Sequence, residues 1–217
     1  MYKATLAVTE YCERSGEGFW AEPINALTNL GFILAAVVIS QQLRRDRVTS
    51  EQQWDLWLLT GLMFVIGVGS FLWHTLVTAW AEWADVLPIL LFINVFLLSF
   101  LYRIAQLRFR GTATVFLLFH TFNLSLYIFA PADWLNGSVF YIPTLLSLYL
   151  LWFFTWQQHH PAAKRMLTAS IIFTLAFTAR TLDQVVCTRF PLGTHFIWHV
   201  LICLTMYYGM RALLPRK

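Results

Sequence analysis

Seven stretches of mostly apolar residues, each about 20 residues long, limit this chain more tightly than anything else in it. They run roughly over 24–40, 54–76, 83–101, 112–130, 139–156, 166–186 and 195–214. In lipid, backbone N–H and C=O groups must pair inside the protein, so a run of this length crosses a bilayer as a helix. The runs are too long and too unalternating for barrel strands. Composition agrees: 59% of the 217 residues are hydrophobic and only 12% are charged. A soluble domain carries roughly twice that charged share. The pattern predicts an all-α, polytopic membrane protein, a seven-transmembrane-helix bundle forming a single domain over residues 1–217. Short connections leave no room for a soluble domain, and Pro23 suits the first turn of the first helix. No internal repeat stands out, which argues against a transporter built from inverted halves.

The net charge of +4 does not indicate nucleic acid, because no basic stripe interleaves with aromatics. The cations instead report topology. One set of connecting segments holds eleven of the fifteen, at Arg44, Arg45, Arg47, Arg103, Arg108, Arg110, Lys164, Arg165, Arg211, Arg216 and Lys217. The other set holds Lys3, Arg14 and Arg189, and Arg180 lies inside a span. Positive charge gathers on the cytoplasmic side, so the N-terminus is expected outside and the C-terminus in the cytoplasm. The first twenty residues lack the apolar core of a cleavable signal peptide, and are expected to remain as an outer acidic segment over 1–22.

Ionisable groups inside spans are expensive and call for a reason. Here they fall at one end of the helices. His74 closes the second span, Asp85 opens the third, Asp183 lies near the end of the sixth, and His195 and His199 open the seventh. His195 and His199 are four apart and share a helix face, a geometry that suits two imidazoles on one metal ion. Ser70 and His74 have the same spacing, with Gly67 and Gly69 beside them to allow close helix approach. Asp85 follows His74 across a tight turn. Three histidines with a carboxylate nearby match a catalytic zinc environment. His120, alone in the fourth span, reads as a satisfied interior histidine, and His159 and His160 as solvated loop residues. Arg180 and Asp183, three apart, can pair with each other, or Asp183 can orient a metal-bound histidine. Cys203, in mid-span, reads as a small apolar filler.

These residues resemble the alkaline ceramidases. GVGSFLWHTLVTAWAEWADVLP looks like their second-to-third helix signature and THFIWHVL like their seventh-helix motif. EYCERSGEGFWAEPINALTN is similar to their N-terminal segment with its Cys-Glu pair and later Ala-Glu-x-x-Asn. The pattern also marks the wider superfamily that includes adiponectin-type receptors. The resemblance implies an intramembrane zinc held by His74, His195 and His199, with water in the fourth position. It implies Asp85 as general base, Ser70 as hydrogen-bond donor to the developing oxyanion, and an N-acyl sphingoid lipid as substrate. It further implies a Cys12–Cys187 disulfide, and a calcium site on Glu10, the Tyr11 carbonyl, Glu13, Ser15 and Glu22. This chain has Glu10 where the family has Asp and Ser15 where it has Asn, and its loop before Glu22 is shorter. The same residues also read as an acidic outer segment that merely respects topology. Three other functions stay open: a receptor-like seven-helix protein with a structural metal, a transporter, and a hydrolase of another acyl amide or ester lipid.

Overall fold

The computed structural model describes residues 11–16, 18–46 and 53–214. Eight α-helical segments form seven helices long and apolar enough to cross a membrane, and the described residues contain no strand. The first span is α1 (Pro23–Thr28) followed by α2 (Leu30–Arg45), with Asn29 between them. Next come α3 (Trp54–Leu76), α4 (Ala79–Arg103) and α5 (Phe109–Phe129). A 3₁₀ turn, Ser138–Tyr141, leads into α6 (Ile142–Gln157), followed by α7 (Ala163–Val186) and α8 (His195–Leu213). The second span coincides with the expected one, and the third begins four residues earlier, at Ala79.

The closest pairings are α3 with α4 and α7 with α8, while α5 buries no side chain and lies at the edge of the bundle. The core runs through Phe32, Leu59, Met63, Ile66, Phe100 and Met210. Leu117, Leu118 and Phe129 stay exposed, as lipid-facing positions do. Exposed tryptophans mark both ends. Trp20, Trp80, Trp83 and Trp134 ring one, and Trp54 and Trp156 stand at the other. Such belts sit at headgroup level.

The α3–α4 hairpin positions the site. Its turn is Val77–Thr78, with Val77 at φ 48°, a left-handed C-cap. Gly69 then lets α4 come down on α3. A Cβ there would collide with the Ala84 carbonyl oxygen and lie 2.7 Å from its carbon. That contact brings the backbone beside Asp85 against the turn that carries Ser70. At the opposite end the Asp55 carboxylate accepts from Arg103 Nε at 2.7 Å, and the pair ties α3 to α4 there. Gly69→Ala should lower stability by about 1–3 kcal/mol, the usual cost of overpacking. Gly61→Ala, which opens on free space inside α3, should hold or raise the melting temperature when both variants are measured in detergent.

Candidate metal centre

His74, His195 and His199 converge at one end of the bundle, all buried, with their ligand atoms within 4.8 Å of one another. Ring centroids stand 5.2 Å apart for His74–His195, 4.8 Å for His74–His199 and 4.6 Å for His195–His199. The helical spacing of four sets the last distance, and the α3–α8 approach sets the other two.

Hydrogen bonds outside the cluster orient the rings. His74 Nδ1 lies 2.5 Å from Glu22 Oε2. A hydrogen on Nδ1 makes that bond and leaves a lone pair on Nε2, which is buried and has no partner among the described residues. His199 Nδ1 lies 3.0 Å from Thr28 Oγ1, whose own hydroxyl donates to Ile24 O at 2.8 Å. The same logic turns His199 Nε2 into an acceptor. His195 stacks on Tyr11 at 3.8 Å, and its Nδ1 is likewise buried without a partner. Neutral imidazoles with lone pairs converging on one spot are what a zinc ion requires, so the donor set fits that metal.

Asp85 faces the cluster from α4. Ser70 hydrogen-bonds its side chain, and Asp85 Oδ1 is buried with no partner among the described residues.

Asp183 and Arg180 do not pair with each other among the described residues. Arg180 reaches Asn136 O at 2.6 Å and Ser138 Oγ at 3.2 Å, with its guanidinium over the Tyr141 ring. Asp183 accepts from the backbone N–H of Thr194 (2.6 Å), His195 (2.9 Å) and Cys12 (3.1 Å). It therefore caps α8 and orients His195 through the main chain rather than through its ring. Gly193, at φ +63°, makes the turn, and a Cβ there would strike Asp183 and sit 2.6 Å from Cys12 Cβ. Cys12 is disulfide-bonded to Cys187, which fastens the N-terminal segment to the end of α7.

In that segment Glu13 accepts from Ile24 N at 2.6 Å and Asn25 N at 2.8 Å. Glu22 pairs with Arg14 as well as His74. Burial alone would raise the Glu22 pKa. The bonds from His74 and Asn25 and the charge of Arg14 outweigh it, and the carboxyl sits below its ordinary value. Tyr11 and Ser15 are described, whereas Glu10 lies outside the described residues, as do Lys3, Arg47, Arg216 and Lys217. His120 Nε2 meets Asn94 Oδ1 at 2.7 Å, a satisfied histidine as expected. His159 is exposed, but His160 accepts from Ala162 N at 3.1 Å. Cys203 is a buried free thiol.

The fold and this centre define a multi-pass membrane protein with a buried three-histidine site able to hold a metal ion. The Ceramidase family profile matches residues 4–214, nearly the whole chain, and the chain belongs to that family. No curated protein matches its sequence. Membership makes the chain a membrane enzyme of the ceramide-hydrolysing kind.

Sequence reasoning missed Glu22 as the partner of His74, Thr28 as the partner of His199, and Asp183 as the cap of α8. Asp183→Ala would strand three backbone N–H donors, that of His195 buried and those of Thr194 and Cys12 partly so. It should lower stability by at least about 2 kcal/mol, measured as loss of the folded fraction on heating or in denaturant.

Proposed function

We propose that this chain is an intramembrane zinc-dependent amidohydrolase. It cleaves the linear amide of ceramide-like N-acyl lipids to a fatty acid and a long-chain base. The carrying observation is the three-histidine cluster beside an Asp85–Ser70 pair in a chain of the ceramidase family. His74, His195 and His199 hold the ion. Zinc, when bound, supplies a Lewis acid that acidifies water and polarises a carbonyl oxygen.

The chain's own groups do the rest. Asp85 takes a proton from the attacking water as oxygen adds to the amide carbon. Ser70 donates its hydroxyl to the oxygen that gathers negative charge. Asp85 then delivers the proton to the departing amine as the C–N bond breaks. Glu22 and Thr28 keep two of the imidazoles in the tautomer that binds metal. The exposed Trp20, Trp80 and Trp83 at this end support headgroup depth, where a lipid amide lies. The bias of cations toward the other end supports the outer leaflet as the side of the site, with the N-terminus outside.

The test is hydrolysis by purified protein across ceramide, dihydroceramide, phytoceramide and N-acyl ethanolamine, with metal content measured in parallel. One zinc per chain is expected, and His199→Ala should lose both the metal and turnover. Ser70→Ala should keep the metal while slowing turnover about 10²–10³-fold. Metal-free protein that still turns over would sink the proposal, as would metal-loaded protein inert on every lipid.

A further inference from the structure

The resemblance of the N-terminal segment implies calcium, held by oxygens of Glu10, Tyr11, Glu13, Ser15 and Glu22. Calcium needs six to eight oxygen ligands, several of them anionic. The described part of this segment spends its oxygens otherwise. Each oxygen of Glu13 already accepts one backbone N–H, from Ile24 and from Asn25. Glu22 Oε2 receives His74 Nδ1 at 2.5 Å and Asn25 Nδ2 at 3.0 Å. Glu22 Oε1 is bound by Arg14 Nε. Ser15 is exposed.

Arg14 does more than neutralise one carboxylate. Its Nη1 reaches Gly16 O at 3.3 Å, and its Nη2 reaches His74 O at 3.4 Å. A single guanidinium thus gathers a carboxylate and two backbone carbonyls, the kind of oxygens a calcium ion would collect. The side chains of Arg14 and Glu22 are only 6% and 2% exposed. An incoming dication would have to displace a buried guanidinium and strand its charge, an expensive exchange. Arginine also keeps its charge at any working pH and offers five donors in a fixed fork, so it can serve as a permanent cation.

We infer that Arg14 replaces calcium in this chain as a built-in cation, and that through Glu22 it acts as a positioning residue for His74. The path is short: guanidinium to carboxylate to imidazole, with the metal-facing Nε2 beyond. Losing the first contact frees Glu22 to move and slackens the ring. The inference goes beyond the hydrolase reading, since it holds whichever lipid the site accepts.

The test uses full-length protein in detergent. The wild type is stripped with a calcium-selective chelator, then given millimolar calcium chloride. Calcium content and melting temperature are both read. We expect no stoichiometric calcium and no shift in melting temperature. One bound calcium per chain, with the rise of about 5–10 °C that a ligand at a hundred times its Kd produces, would overturn the inference.

A second arm measures zinc affinity by chelator competition, a readout that looser packing elsewhere would not move. Arg14→Ala should weaken zinc binding about 10–100-fold, as loss of an outer partner of a metal-bound histidine does. Arg14→Lys should recover part of it. Unchanged zinc affinity in Arg14→Ala would refute the positioning role. If Arg14→Ala does not fold, Arg14→Gln replaces it, and the wild-type calcium arm decides by itself. Zinc-free wild-type protein would sink the hydrolase proposal and, with it, the positioning role, while the calcium arm would still decide the first half of the inference.

Discussion

A buried carboxylate in an apolar bundle has to be answered by donors from the protein itself, and at Asp183 of α7 the N-terminal segment and the start of α8 supply them. The carboxylate is fully buried and accepts three backbone N–H groups from two distant stretches of chain. Bonds to a charged acceptor contribute about 1.5–3 kcal/mol each, more than neutral ones. The start of α8 is thereby fixed, and with it the rotation that points His195 and His199 toward α3. The N-terminal segment is held by the same carboxylate and by the disulfide next to it. From there it places Glu22 on His74 and Tyr11 on His195.

The two ends of the bundle carry different polar groups, and each leaves some buried atoms without a partner among the described residues. At the end away from the histidines, Asp55 and Arg103 satisfy each other across α3 and α4. At the histidine end, some buried atoms are left unspent: His74 Nε2, His195 Nδ1 and Asp85 Oδ1. An unpartnered polar atom in a low-dielectric interior is destabilising. Three such atoms on the side chains that converge at the cluster mark a place where stability yields to ligand binding.

The spans were legible because lipid imposes one rule on every residue of a crossing helix, and a run such as 54–76 declares itself by composition. The histidine cluster was legible because helical periodicity converts a spacing of four into a shared face, at His195 and His199 and again at Ser70 and His74. What stayed hidden lies in the segment before Pro23, which has no period to read. Glu22 and Arg14 find their partners through tertiary contact, and a separation of eight positions in the sequence gives no hint that they meet. Arg180 and Asp183 show the converse. Their spacing of three on α7 suggested a pair, yet the Ser138–Tyr141 turn claims the arginine and the N-terminus of α8 claims the aspartate. Likewise, the first span breaks at Asn29, where one unbroken helix was expected.

The disulfide and the Asp183 contacts also set the order in which the molecule can be built. Cys12 is made before any of the seven crossing helices described, but its partner is 175 residues later. The three histidines are divided between α3 and α8, the second and the last of the crossing helices. Throughout most of synthesis, therefore, the N-terminal segment lacks its disulfide partner and its Asp183 contact, and His74 has no second histidine beside it. The cluster closes only after α8 has entered the membrane, in a step that brings α8 against α3. A ribosome that stalls early leaves a bundle fragment with one histidine and no site, so the chemistry of the finished protein is withheld from every incomplete copy of it.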